Sequence, residues 1–208
     1  LTPVAKSYPS EMGILSVSAA LQCLGGYGYC DEFPIEQHYR DMRIHAIHEG
    51  TTGIHGLDLL GRKIMMLQGK ALAYFLEEAA LTVNASAECA ESHAYGQRLG
   101  EALQSLRRVT THLMGVAGKG DVETFLADAT LYLEFFGLIV VAWQWLKQGI
   151  VAEQALCSAQ PSQDIDFYKG KLQTMRYFFH YELPKTLGLE KRLVESDGLT
   201  TDTLHGVP

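Results

Sequence analysis

Glu49 stands directly before Gly50-Thr51-Thr52-Gly53, where a helical run of apolar residues begins. A carboxylate on such a polar, flexible seat can act as a general base, provided a dry pocket holds an acidic C–H against it. It can equally be a solvated acid complementing the first turn of a helix. Upstream, Gly25-Gly26-Tyr27-Gly28 lacks Cβ atoms at three of four positions, so its backbone could approach a phosphate or nucleotide closely. No strand precedes it, so it is not a dinucleotide fingerprint, and a flexible helix-to-helix turn is the plainer reading. His38, His45, His48 and His55 suggest a metal, with His45 and His48 at helical spacing. No HExxH or carboxylate-flanked set completes such a site, so no metal is expected. Arg40-Asp41, in mid-helix, reads as an exposed or interhelical ion pair, and Tyr27 and Tyr29 as aromatics that could stack on a ring or pack a helix.

The elements that must position these residues are helices. Leu1 to Leu24 is mostly apolar and small, and Gly25-Gly26 ends it as a C-cap pair. Pro9 implies a kink there, or a helix that properly starts near Ser10. Pro34 and Glu36 open a short helix to about Arg43. Leu57, Leu60, Ile64, Leu67, Ala71 and Tyr74 advance by three or four residues, which predicts one long amphipathic helix from Thr51 to about Val83. Asn84 to Glu91 is a polar break and the expected domain boundary. Beyond it, Leu99 to Val116 forms a second stripe, ended by Gly118 and Gly120. Asp121 can cap a third helix, with a stripe from Val122 to Trp143. Gln160-Pro161-Ser162 is a further break, followed by a helix over 164–183 and a polar tail from Ser196. No stretch alternates with period two for long enough to require a strand. The prediction is an all-α chain whose later helices form an antiparallel bundle.

Composition limits the function. With 208 residues, 47% of them hydrophobic, there is ample apolar material for packed cores. A net charge of −7 argues against nucleic acid as a partner, since neutralising phosphates takes a surplus of Lys and Arg. Cys23, Cys30, Cys89 and Cys157 fall at unrelated spacings, which fits reduced thiols in a cytoplasmic setting. The first residues lack the basic stretch and apolar core of a secretory signal. Phe135 to Leu146, the most apolar run, is about half of the ~20 residues a membrane span needs and reads as a buried helix. The chain starts at Leu1, inside what reads as a running helix, as a piece of a longer polypeptide would.

Several blocks, taken in order, carry a more specific signal. They are Leu21-Gln22-Cys23-Leu24-Gly25-Gly26-Tyr27-Gly28-Tyr29, Pro34-Ile35-Glu36, Tyr39-Arg40-Asp41 and Ile47-His48-Glu49-Gly50-Thr51-Thr52-Gly53-Ile54. Together they resemble the C-terminal helical domain of acyl-CoA dehydrogenases, over about residues 1–70. The later bundle is similar in length and layout to the extra helical domain of long-form members, such as the 3-methylmercaptopropionyl-CoA type. The resemblance implies the end of the dehydrogenase helical bundle over 1–85 and an additional antiparallel helical bundle over 86–208.

It also implies a reaction and its residues. Glu49 matches the glutamate that removes the α-proton of an acyl-CoA thioester while the β-hydride passes to the N5 of FAD. Thr51 matches a residue beside the FAD. Gln22, Gly25 and Gly26 match positions contacting the adenosine half of an FAD bound mainly by a neighbouring subunit, which implies a homodimer or tetramer. An acyl-CoA substrate and an electron acceptor are the implied partners, with no nucleic acid and no membrane span. Two positions depart from the pattern: Gly53 stands where many members have Gln, and His48 where Tyr is frequent. The family's N-terminal and middle domains are missing from these residues, so the chain alone is expected to be inactive and not to retain FAD. The competing reading is a non-catalytic assembly or interaction module of a family homologue. If Glu49 is a base it should face open space; packing beneath the second bundle would speak for a structural role.

Overall fold

The computed structural model describes residues 1–158 and 164–201. Among them lie nine α-helices: α1 (Thr2–Cys23), α2 (Ile35–Ile44), α3 (Thr52–Asp58), α4 (Lys70–Ser86), α5 (Ser92–Gly118), α6 (Val122–Ala127), α7 (Ala129–Cys157), α8 (Ile165–Tyr177) and α9 (Lys185–Glu195). A 3₁₀ turn spans Gly25–Tyr29, and π turns span Leu59–Lys63 and Phe178–Glu182. No strand occurs among the described residues, and the all-α class stands. The predicted break at Gln160-Pro161-Ser162 and the end of the polar tail lie outside the described residues.

α7 organises the molecule. It is apolar on nearly every side and buries Phe135, Ile139, Ala142 and Leu146 completely. A helix that is apolar all round belongs in the middle of a protein or in a membrane. Here α1, α3, α4, α5, α8 and α9 all pack on it. α7 is long and apolar enough to cross a bilayer, yet 67% of its most apolar stretch is buried against these neighbours. One continuous apolar cluster runs from Val4 in α1, through Leu60, Phe75, Leu106 and Phe136, to Leu193 in α9.

Two predicted helices are divided differently. The helix expected over Thr51 to Val83 is broken into α3, a π turn and α4, because Leu67, Gln68 and Gly69 all take left-handed backbone angles (φ 54°, 59° and 84°). The break re-registers the stripe: Leu67 and Tyr74 are exposed, while Phe75, Leu76 and Ala79 are buried. A second break at Asp128 separates α6 from α7, and Asp128 there pairs with Arg192 of α9 at 3.0 Å. Asp121 does cap α6, accepting from the Thr124 amide at 3.0 Å. The expected helix over Leu1 to Leu24 is present as α1, and of the two readings of Pro9 the start near Ser10 is not the one adopted: α1 runs through Pro9 from Thr2, with Pro3 in its first turn. Pro9 removes one N–H, and the carbonyl it frees belongs to exposed Ala5, where water can satisfy it.

The polar break after α4 is a clamped corner. The Glu153 carboxylate on α7 accepts from the amides of Glu91 and Ser92 at 2.8 and 3.0 Å and from the Ser92 hydroxyl at 2.8 Å. α5 is thereby capped by another helix, since its own N-cap residue, Glu91, makes no side-chain cap bond. Arg176 of α8 grips Glu91 with two parallel hydrogen bonds. All four cysteines are free thiols.

Candidate active site

α1 presents its two ends to different loops. At the C-terminal end, Gly25 turns the chain with φ +58° into the 3₁₀ turn. Gly28 is buried there, and a Cβ on it would lie 2.5 Å from the Leu21 carbonyl oxygen. Only glycine fits that approach, so Gly28 closes the turn rather than serving a ligand. Gln22, Gly25 and Gly26 are exposed, with open space beyond both glycines. Such a bare backbone edge fits a flat or phosphate-bearing group laid across it. Tyr27 packs on Phe33, ring centroids 5.5 Å apart, and Tyr29 is almost wholly exposed.

Near the other end, α1 holds the Glu49 loop. Glu49 and Gly50 are both left-handed (φ 56° and 96°), and the Lys6 ammonium donates to the Gly50 carbonyl at 2.7 Å. Glu49 is exposed, and its carboxylate makes no hydrogen bond or ion pair with any described residue. It does not pack under the second bundle. Thr51 is the N-cap of α3, its Oγ1 accepting from the Ile54 amide at 3.4 Å, which leaves its O–H free to point outward. Thr52 donates to the carboxylate of Glu11, tying the loop to α1 a second time. The ring of His55 lies against Gly50, and its Nε2 is buried without a partner among the described residues.

The structure therefore brings Glu49 and Thr51 together, and Gln22, Gly25 and Gly26 together, but it keeps the two groups apart. Lys6 and Gln22 are separated by most of α1, roughly 24 Å at 1.5 Å per residue. Arg40 pairs within α2 with Glu36 at 2.9 Å, and this bond with the neighbouring charge holds the Glu36 carboxyl below its ordinary range. His48 turns its Nδ1 toward the Ile44 carbonyl at 2.9 Å, and the His45 and His48 rings lie 5.5 Å apart. Among the described residues no cluster of His, Cys and carboxylates has metal-binding geometry. Sequence reasoning missed Lys6 and Glu11, since a Lys and a Glu on a helix carry no sign of the loop they will grip.

Two family profiles match this chain in succession. Residues 1–65 match the acyl-CoA dehydrogenase C-terminal domain, and residues 75–203 match the profile described as acetyl-CoA dehydrogenase C-terminal like. The second alone covers more than half of the chain. The chain belongs to the acyl-CoA dehydrogenase family. The left-handed turn of Leu67, Gln68 and Gly69 falls in the interval between the two matches.

Among family members, the chain is 31% identical to the 3-methylmercaptopropionyl-CoA dehydrogenase of Ruegeria pomeroyi, over 98% of this chain and 34% of the relative. It is 30% identical to the broad-specificity linear acyl-CoA dehydrogenase FadE5 of Mycobacterium tuberculosis, over 88% of this chain and 31% of the relative. Against the human mitochondrial short-chain specific acyl-CoA dehydrogenase it is 47% identical over 58 residues, 28% of this chain and 14% of the relative. The chain thus spans about a third of the length of the long relatives it matches.

A cleft of about 380 Å³ lies beside the Glu49 loop, between α1, α7 and the start of α9. Tyr8, Glu11, Thr52, Glu134 and Glu182 line it. Burial, with Glu182 nearby, pushes the Tyr8 hydroxyl up to about 12, so it stays protonated at neutral pH. Glu182 pairs with Lys185 at 2.6 Å. Glu49 does not line this cleft.

Proposed function

We propose that this chain is the C-terminal part of an FAD-dependent dehydrogenase that introduces an α,β double bond into an acyl-CoA thioester, with Glu49 as the catalytic base. The observation that carries the reading is the state of Glu49. It is exposed and unpartnered, on a loop whose backbone is held left-handed by Lys6. The left-handed backbone of Glu49 costs of the order of 1 kcal/mol, and with Lys6 bonded to the next carbonyl it leaves the carboxylate clear of the helices, where it can meet a ligand.

The division of labour follows from the residues. Glu49 takes the α-proton once the thioester carbonyl is polarised and water is excluded. When bound, FAD supplies the acceptor for the β-hydride. Thr51 offers its free O–H beside the base and holds the start of α3 with its oxygen. Gln22, Gly25 and Gly26 present a bare polar edge that fits the adenosine half of the cofactor. Their distance of roughly 24 Å along α1 from the Glu49 loop fits work on cofactors of two different subunits, hence a homodimer or tetramer. An electron acceptor is the remaining partner that this reading requires. The catalytic part is taken as 1–85 and the appended bundle as 86–208, in a cytoplasmic enzyme. The chain by itself is taken as inactive and unable to retain FAD, because it spans only about a third of its long relatives.

The test is Glu49→Gln in the full-length parent enzyme. Flavin should stay bound and substrate should no longer bleach it; unchanged bleaching removes Glu49 from the mechanism. For the isolated chain, yellow colour surviving gel filtration, with acyl-CoA-dependent reduction of an acceptor, would overturn its inactivity.

A further inference from the structure

α1 and α7 pack closely at Gly137, where an added Cβ would lie 3.7 Å from both the Tyr8 ring and a Val4 methyl. Val4 and Tyr8 also line the cleft of about 380 Å³, which therefore opens directly beside that contact, with Glu182 and Lys185 completing its wall. Three carboxylates line it, those of Glu11, Glu134 and Glu182, against one ammonium, that of Lys185. Lys185 takes one oxygen of Glu182 at 2.6 Å, and Thr52 takes one oxygen of Glu11. The second oxygen of each has no hydrogen-bond partner among the described residues, and Glu134 has neither a hydrogen bond nor an ion pair there. The lining thus carries two negative charges in excess.

Acids at a surface can simply face water. Ser7 separates this cleft from that case. It is 3% exposed, and its Oγ is buried on the cleft wall with no partner among the described residues. A helical serine commonly turns back to the carbonyl one turn earlier, as Ser10 does to Lys6 at 2.6 Å and Ser16 to Met12 at 2.8 Å. Ser7 does not. A buried hydroxyl left without a bond costs about 1–3 kcal/mol, and a polar group bound in the cleft removes that cost. The Tyr8 hydroxyl feels the charge of Glu182 and stays protonated, adding a second uncharged oxygen.

A matching ligand brings positive charge, N–H donors and an apolar body. Anions, an acyl-CoA included, meet the excess negative charge. A metal ion is not favoured, because no group of His, Cys and carboxylates among the described residues has metal-binding geometry. An alkylammonium supplies three N–H donors, and its methylenes suit Val4, Leu133 and Leu138. Two excess charges call for two ammoniums. Ser7 and Glu11 lie one turn apart on α1, roughly 6 Å at 1.5 Å per residue, a separation that a short aliphatic chain spans.

We propose that the α1–α7 cleft binds a short aliphatic diamine, its ammoniums met by Glu11, Glu134, Glu182 and the Ser7 hydroxyl and its methylenes by Val4, Leu133 and Leu138. The site does not depend on the dehydrogenation reading, and Glu49 is not part of it.

Putrescine titrated calorimetrically into the chain should bind saturably, with a sub-millimolar Kd that weakens as salt is raised. n-Butylamine, with one ammonium, should bind at least tenfold more weakly, and n-butanol should give no saturable heat. Glu134→Gln, at an exposed position, should weaken putrescine about tenfold, while Glu77→Gln on α4 should leave it unchanged. Ser7→Ala should weaken it about fivefold, yet the Tm of the ligand-free variant should equal or exceed that of the unsubstituted chain, since no bond is lost. Circular dichroism checks that each variant is folded. Binding retained in the full-length parent enzyme supports a free diamine. Binding confined to the isolated chain means that a side chain from the rest of the parent fills the cleft, and overturns the proposal. It also falls if putrescine gives no saturable heat, if folded Glu134→Gln or folded Ser7→Ala leaves the Kd unchanged, or if magnesium chloride at equal concentration displaces putrescine.

Discussion

Replacing Glu153 by Gln keeps the shape of the side chain and removes its charge. The native carboxylate accepts from the Glu91 amide on one oxygen and from the Ser92 amide and hydroxyl on the other. A glutamine has one oxygen and one NH₂, so in either orientation an NH₂ meets an N–H donor and one side of the cap is lost. Hydrogen bonds to a charged group contribute about 1.5–3 kcal/mol each, and one leaves with little compensation, so a loss of about 2 kcal/mol is expected. For a chain of this size that is roughly 4–8 °C in Tm.

The pH dependence gives a second signature of the same contact. Burial alone would push the Glu153 carboxyl up, but the amides of Glu91, Ser92 and Ala90 and the Ser92 hydroxyl outweigh it and hold it below the ordinary range. A carboxyl lowered in the folded state contributes fully above its unfolded value of about 4.3, and the contribution is lost as pH falls through the lower folded value. The gap between native and Glu153→Gln melting temperatures should therefore be constant from pH 6 to 8 and close progressively below about pH 4. Thermal melts by circular dichroism at a series of pH values measure both. A shift of under 1 °C at neutral pH, or a gap that persists undiminished in acid, refutes the capping account.

Three further outcomes are expected. Lys6→Met keeps the aliphatic stem but frees the Gly50 carbonyl; in the parent enzyme kcat should fall about 10- to 100-fold with KM nearly unchanged. Lys6→Arg should restore part of the rate, and an unchanged kcat in Lys6→Met would show that the loop holds itself. Gly56→Ala would place a Cβ 2.8 Å from the Ala129 carbonyl oxygen and 2.9 Å from its carbon, backbone that cannot swing away, so urea denaturation should report a loss of about 1–3 kcal/mol. Trp143→Phe removes the indole donor to Thr82 Oγ1 at 2.7 Å and should cost about 1–3 kcal/mol, part of which a paired Thr82→Val should recover; no recovery would mean packing, not the bond, carries the loss.

The readable features were those repeated many times along the chain. Leu99, Leu103, Leu106, Val109 and Leu113 are all buried as their spacing implies, because each restates the same face of α5. The breaks were harder. Gly69 carried the usual signal of a helix end, but Leu67 and Gln68 adopt the same left-handed backbone with side chains that favour neither. The apolar spacing across them therefore runs on past a turn that spacing does not record, and α4 beyond it packs on α5 and α7. Similarly, Asp128 separates α6 from α7 where it meets Arg192, a residue more than sixty positions away.

What the sequence determined by itself was the helical class, through period 3.6, and the identity of the Glu49 and Gln22 blocks, through their order. Both are properties of neighbouring residues, and local spacing records them. Tertiary structure decided which groups meet. Lys6 grips the Glu49 loop, α7 lends Glu153 to the start of α5, and Ser7 and Glu134 share a cleft only once α1 lies on α7. Those pairings join positions far apart in the chain, and a hydrogen bond or shared pocket between them leaves no trace in spacing or composition until the core has closed around α7.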